Sequence, residues 1–192
     1  MFPDLPPTPS VLIDPLPYEL KLEARPLSQI DLVVIHCTEV PTLELSREYG
    51  ERVLHEGNGT GNSGHYYIDR NGGVVLYVRP ERIANHVRGY NPRSLGIELV
   101  NTGRYPHWRD SRHQAMNEPY PEAQIAALIG LLQQLQAELP ALHWITGHED
   151  LDTEMEAAVD DPEVLVPRKR DPGALFPWSR IMESVNLTRL KP

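Results

Sequence analysis

The sequence predicts a single α/β domain with a mixed central β-sheet and helices packed on it, and three observations carry that expectation. The apolar, β-branched run Leu32-Val33-Val34-Ile35 has the length and composition of a central buried strand. An Asn71-Gly72 step joins two strand-like segments, His65 to Asp69 and Val74 to Val78, in the manner of a β-hairpin. Ile125, Leu128, Leu132, Leu135 and Leu139 recur at three- and four-residue steps and form one apolar stripe along a helix from Glu122 to Leu139. Pro121 stands at its start and Pro140 closes it. Strands that alternate with helices favour a sheet with helices laid against it.

The remaining elements follow in order. Residues 1–28 form a proline-rich lead-in, interrupted too often for a helix, and read as an extended strap along the domain. Thr42 to about Glu56 has helical character, with Leu45, Tyr49, Val53 and Leu54 on one face. Asn58 to Gly64 is a glycine-rich loop that leads into a strand and lacks the Lys-Ser/Thr of a phosphate loop, so it reads as a flexible loop beside a site. Ser94 to Asn101 is a further strand, and His143 to Thr146 a short one. An acidic stretch runs from Glu149 to Glu163. The domain is expected over residues 29–182, with an insert at 152–168 and a tail at 183–192.

Composition narrows the function. With 18 basic and 27 acidic residues the net charge is −9, which disfavours nucleic acid and anionic membranes as partners, since both reward a positive face. The single cysteine, Cys37, excludes an internal disulfide. The N-terminal stretch has no basic start and no continuous apolar run, so a signal peptide or membrane anchor is not expected, and a chain beginning at Met1 is expected in the cytoplasm.

Four positions invite chemistry. His36 follows the apolar strand, where a side chain is held rigidly at the edge of a cleft, while alternation turns Cys37 to the opposite face as a core residue. His148 ends the segment Trp144-Ile145-Thr146-Gly147. Asp171 precedes Pro172 in an extended segment in which Lys169, two residues earlier, projects to the same side. Two histidines and a carboxylate leave a fourth position open, the pattern of a catalytic zinc in preference to a structural one. Glu98 sits among Leu95, Ile97, Leu99 and Val100, where burial raises a carboxylate pKa toward the range of a general base.

Five segments in order, VVIHCT at 33–38, GHYYIDRNG at 64–72, NHVRGYNPRSLGIELVN at 85–101, ITGHEDL at 145–151 and KRDPGALFPW at 169–178, resemble the zinc amidases of the N-acetylmuramoyl-L-alanine type. Their relatives include phage lysozyme-like amidases and peptidoglycan recognition proteins, whose fold is then expected here. The resemblance is greatest to the cytoplasmic amidases of 1,6-anhydro-muropeptides. Against the compact members of the family, the acidic residues 152–163 form an insert, a solvated loop in preference to a lid or cleft wall. It implies that His36, His148 and Asp171 bind Zn2+, that Glu98 is the general base, and that Lys169 stabilises the oxyanion. His86 is implied near the cleft, and Arg88, Asn85 and Arg93 are candidates for holding substrate, a muropeptide or peptidoglycan fragment. Two other readings stand beside it: a phage or secreted amidase acting on intact wall, and a module that binds muropeptides without cutting them. The oligomeric state is left open.

Overall fold

A computed structural model describes residues 9–191. Its centre is a seven-stranded sheet of order β1-β4-β3-β5-β2-β6-β9. The strands are β1 (Val11–Ile13), β2 (Leu32–Cys37), β3 (Tyr66–Ile68), β4 (Val74–Leu76), β5 (Ser94–Leu99), β6 (Trp144–Gly147) and β9 (Thr188–Arg189). Only β3 and β4 pair antiparallel, across the expected hairpin; the other neighbours run parallel. The sheet is therefore mixed, as the sequence predicts.

Alternation along the strands divides the molecule into two faces. Val33, Ile35, Leu95, Ile97 and Leu99 turn to one side and pack with Ile125, Leu128, Leu132 and Leu135 of α2 (Glu122–Glu138) in a continuous core. Burying each such side chain stabilises the fold by roughly 1.5–3 kcal/mol. The opposite face carries Leu32, Val34 and His36 of β2 and Ser94, Gly96 and Glu98 of β5. Part of this face is covered by the segment after β1, whose Leu16, Tyr18 and Leu22 are buried against Tyr67, Val75 and Tyr77. The rest of it stays open as a cleft.

Three boundaries differ from expectation. The lead-in assigned to residues 1–28 is, from Val11 on, part of the domain: β1 pairs with β4, and Leu16 is 2% exposed. Leu12 and Ile13 point outward on that edge, which is why alternation did not signal a strand there. Residues 1–8 of that lead-in lie outside the described residues. The helix expected to about Glu56 ends earlier, as α1 (Leu43–Glu51) capped by the Thr42 hydroxyl, and Val53 and Leu54 are exposed beyond it. The tail at 183–192 contributes β9 to the main sheet, after α4 (Trp178–Ser184).

The insert is also better ordered than a solvated loop. β7 (Met155–Ala157) and β8 (Leu165–Pro167) form an antiparallel hairpin of their own. It is tied to the loop before α2 by the Val159 amide donating to the Arg109 carbonyl at 2.8 Å and the Ser111 amide donating to Asp160 at 2.7 Å. Its acidic residues thus serve as partners for a basic loop, a pairing that composition alone does not reveal.

Candidate active site

Strand register assembles the first part of the site. β2 and β5 pair in parallel with His36 opposite Glu98, so both side chains rise from the same face next to each other. β6 flanks β2 on the other side with Gly147 opposite Ile35. The chain then turns into the single-turn helix α3 (His148–Leu151), which brings the His148 ring to 4.5 Å from that of His36. Both histidines lie almost wholly out of solvent.

Asp171 arrives from the far end of the chain. The Glu149 amide donates to its carbonyl at 2.9 Å, and the Tyr120 hydroxyl donates to the next carbonyl, of Pro172, at 2.7 Å. These contacts hold Asp171 Oδ2 at 2.9 Å from His36 Nδ1 and 3.1 Å from His148 Nδ1. One ligand atom from each of the three residues lies within 4.8 Å of the others.

A network behind His36 fixes which nitrogen is bare. The Ser94 hydroxyl donates its one proton to the Tyr90 carbonyl at 2.8 Å. It therefore accepts from His86 Nε2 at 3.1 Å, which leaves His86 Nδ1 as an acceptor for His36 Nε2–H at 3.0 Å. His36 then presents a lone pair at Nδ1 toward the Asp171 carboxylate. Burial, with His148 adding to it, lowers the His36 pKa to about 4, so this ring is neutral near pH 7. Burial would raise the Asp171 carboxyl, but His148 and His36 hold it well below its ordinary value. Two acceptors facing each other at 2.9 Å need a cation between them. The second oxygen, Asp171 Oδ1, is buried and has no hydrogen-bond partner among the described residues. Two imidazole nitrogens and a carboxylate are a donor set that suits a divalent metal, so the residues present fit one.

Two glycines make room for this arrangement. A Cβ at Gly96 would sit 2.7 Å from His86 Nδ1, and one at Gly64 would sit 2.8 Å from Glu98 Cγ. Glycine at both positions lets the His86 ring and the Glu98 stem lie directly on the backbone. The glycine-rich loop is thus packed against the site and does not merely flank it.

Glu98 stands at the edge of the cluster, its Oε1 3.9 Å from His36 Nδ1. Burial, reinforced by the Asp171 charge, pushes its carboxyl up to about 8. Lys169 lines the same cleft, and among the described residues no carboxylate lies within salt-bridge distance of it. The neighbouring cleft cations are spoken for: Arg88 pairs with Glu154 at 2.8 Å, Arg109 with Glu156 at 3.1 Å, and buried Arg104 bonds Glu39 through two nitrogens.

A family profile for N-acetylmuramoyl-L-alanine amidase matches residues 26–174, which include every one of these groups. The chain belongs to the N-acetylmuramoyl-L-alanine amidase family. It is 34% identical to the 1,6-anhydro-N-acetylmuramyl-L-alanine amidase AmpD of Enterobacter cloacae, over 59% of this chain and 51% of that protein. It is 32% identical to the N-acetylmuramoyl-L-alanine amidase AmiD of Escherichia coli (strain K12), over 48% of this chain and 28% of that one. The chain therefore spans about half the length of AmpD and less of AmiD. Among solved structures, the amidase LysC from Clostridium intestinale URNW superposes with a TM-score of 0.65 at 19% identity, covering 94% of this chain and 100% of that one. Drosophila peptidoglycan recognition protein SD does so with 0.64 at 15%, covering 96% and 99%. At these identities the likeness is one of fold, and it is the amidase and peptidoglycan-recognition fold the sequence predicts.

Within this amidase fold the cleft has a volume of about 740 Å³. Tyr49 and Trp108 form an aromatic wall at one side, their rings 6.5 Å apart, and the β7–β8 hairpin contributes Glu156 to another. Of the expected substrate residues, His86, Asn85 and Arg88 line the cleft. His86 lies directly behind His36, and the Asn85 amide nitrogen donates to the Gly61 carbonyl at 3.0 Å, which pins the glycine-rich loop. Arg93 is a correction: its guanidinium makes two bonds to Asp31, at 2.6 and 2.5 Å, and it does not line the cleft. The same NHVRGYNPR segment that delivers His86 makes one turn of 3-10 helix at Asn91–Arg93, which carries Arg93 away from the site.

Cys37 is buried and stands outside the ligand group, as alternation predicts. Sequence reasoning missed Ser94, which holds the His86 ring, Tyr67, which lines the cleft, and Asp152, whose carboxylate lies 4.0 Å from His148. Ser94 and Tyr67 share the cleft-facing alternation with Glu98 and His36, which is a signal that could have found them. Asp152 had only its acidic neighbourhood to mark it.

Proposed function

We propose that this chain is a zinc-dependent amidase that hydrolyses the amide bond between an N-acetylmuramoyl group, in its 1,6-anhydro form, and L-alanine in peptidoglycan fragments. The observation that carries this reading is the pair of lone-pair donors, His36 Nδ1 and Asp171 Oδ2, facing each other at 2.9 Å with His148 beside them and Glu98 at the rim. His36, His148 and Asp171 would hold the zinc. Bound there, the metal supplies Lewis acidity toward the scissile carbonyl and toward water.

The chain's own groups supply the rest. Glu98 accepts a proton from the attacking water as the oxygen bonds to the amide carbon, and it returns that proton to the alanine nitrogen as the C–N bond breaks. Its burial beside the Asp171 charge keeps the carboxyl within reach of both protonation states near neutral pH. Lys169, having no carboxylate partner among the described residues, offers its ammonium to the negative charge that develops on the carbonyl oxygen. Asn85 and Arg88 line the cleft and would meet polar groups of the sugar or the stem peptide, Arg88 by giving up its exposed pairing with Glu154.

Similarity to AmpD, a 1,6-anhydro-N-acetylmuramyl-L-alanine amidase, supports the anhydro sugar, and recycling of soluble fragments in the cytoplasm is part of the same proposal. A net charge of −9 gives no electrostatic attraction to an anionic wall, which favours soluble fragments over intact wall. Among the described residues no helix is long and apolar enough to cross a membrane. The test is mass spectrometry of a purified anhydromuropeptide incubated with the protein as isolated, after chelation, and after zinc is restored. Separation into anhydro-sugar and intact peptide, lost on chelation and regained with zinc, is expected. Cleavage of sacculi with the anhydromuropeptide left intact would move the enzyme to wall lysis, and no cleavage of either by zinc-loaded protein would leave a binding module.

A further inference from the structure

His36 has its tautomer set by His86, Ser94 and the Tyr90 carbonyl, whereas His148 has no such relay. Its Nδ1 faces Asp171, and among the described residues no hydrogen bond is made to its Nε2. A lone pair at Nδ1 requires the proton to be on Nε2, and a buried ring N–H left without an acceptor is costly. The nearest carboxylate on that side is Asp152, whose Oδ2 lies 4.0 Å from Nε2.

Asp152 is suited to the task in three respects. It is four residues from His148 and closes the same helical turn, its amide donating to the His148 carbonyl at 3.0 Å, so the two side chains stay in register. It is 6% exposed, so bulk water has little access to it. It is itself held: its Oδ1 accepts from Arg168 Nε at 3.2 Å and its other oxygen meets the same guanidinium. Arg168 neutralises the buried charge, and the oxygen it meets, Oδ2, is also the one 4.0 Å from the ring. A carboxylate on the far nitrogen of a ligating histidine both orients the ring and makes it a better donor.

Resting on the zinc-site reading above, we propose that Asp152 is a positioning residue that accepts the His148 Nε2–H, fixing the tautomer in which Nδ1 is free to ligate. An approach of about 1 Å brings the pair to ordinary hydrogen-bond length. The arrangement also joins the β7–β8 hairpin to the metal pocket, because Arg168 lies directly after β8 and Asp152 directly after α3.

The alternative role for Asp152 is an anchor for the hairpin alone, through Arg168. Zinc affinity, measured by competition with a chromogenic chelator on the full chain, separates the two. Asp152→Ala is expected to weaken zinc binding by about 10- to 100-fold. Asp152→Asn, which keeps a neutral acceptor, should fall between it and wild type, and Arg168→Met, which leaves the carboxylate itself in place, should lose less than Asp152→Ala. A wild-type affinity in Asp152→Ala, or an equal loss in Arg168→Met, would overturn the proposal. Proton NMR of the zinc-loaded protein gives a second readout that a hairpin anchor would not move. With zinc on Nδ1, the His148 Nε2–H should exchange slowly with solvent and resonate downfield in wild type and lose both features in Asp152→Ala; an unchanged signal there would also overturn it. If wild-type protein takes up no zinc, the metal reading fails and takes this proposal with it; zinc uptake with wild-type affinity in Asp152→Ala fails the proposal alone.

Discussion

The two sides of the ligand cluster are built differently. His36 and Glu98 stand on adjacent central strands whose pairing, from Leu32 opposite Ser94 to Cys37 opposite Leu99, fixes their relative position. Their backbones are locked by the ladder and by the core beneath, so they are in place whether or not anything binds. His148, Lys169 and Asp171 lie beyond strand ends, on a single helical turn and an irregular segment. They are held by individual bonds: Glu149 amide to Asp171 carbonyl, Tyr120 to Pro172, and Asp152 with Arg168. The strand side is thus a rigid platform, and the segment side is the part whose geometry a ligand can tighten.

The largest effect should come from the segment side. Asp171→Ala or His148→Ala should strip zinc, seen by elemental analysis, and reduce turnover to background while the metal-free protein keeps its sheet, seen by circular dichroism. Retained metal and activity in either variant would remove it from the ligand set. On the strand side, Glu98→Gln should keep zinc yet lower kcat by about 10²- to 10⁴-fold, and a kcat near that of wild type would rule it out as the base. Lys169→Ala should lower kcat by about 10²- to 10³-fold with little change in KM, the signature of a contact made mainly in the transition state. A rise in KM at constant kcat would make Lys169 a residue that binds the ground state.

The strand platform should also show itself in the pH dependence of stability of the metal-free protein. The folded Glu98 pKa, about 8, lies above its ordinary value, so the folded state binds the proton more tightly. Its contribution to stability is therefore fully present at low pH and is lost as pH rises from about 4.5 through about 8. Glu98→Gln should then gain on wild type with rising pH, by on the order of a few kcal/mol at pH 9, as read by denaturant melts. Equal pH profiles would mean that Glu98 is not held in a medium hostile to charge. The smallest effect belongs to Arg88→Ala: its exposed pairing with Glu154 should contribute less than about 1 kcal/mol to stability. Any change in KM would then report substrate contact.

The same division explains what could be read from the sequence. His36, Glu98, α2 and the β3–β4 hairpin were legible because alternation, a helical stripe and an Asn-Gly step are local signals. The grouping of His148 and Asp171 with His36 is a tertiary fact with no local signal; it was reached through family resemblance. β1 escaped notice because its outward residues, Leu12 and Ile13, are apolar, and the β7–β8 hairpin because its acidic composition looks like solvated loop. Arg93 was misassigned because it shares a motif with His86, while its partner Asp31 lies 62 positions away.

The most direct test is an anomalous-difference map at the zinc edge from crystals grown with zinc. The expected result is a single peak at about 2.0–2.2 Å from His36 Nδ1, His148 Nδ1 and an Asp171 carboxylate oxygen. A zinc-loaded, active crystal form with no peak at that point, or with the metal bound by other side chains, would contradict the assignment on which the proposed chemistry rests.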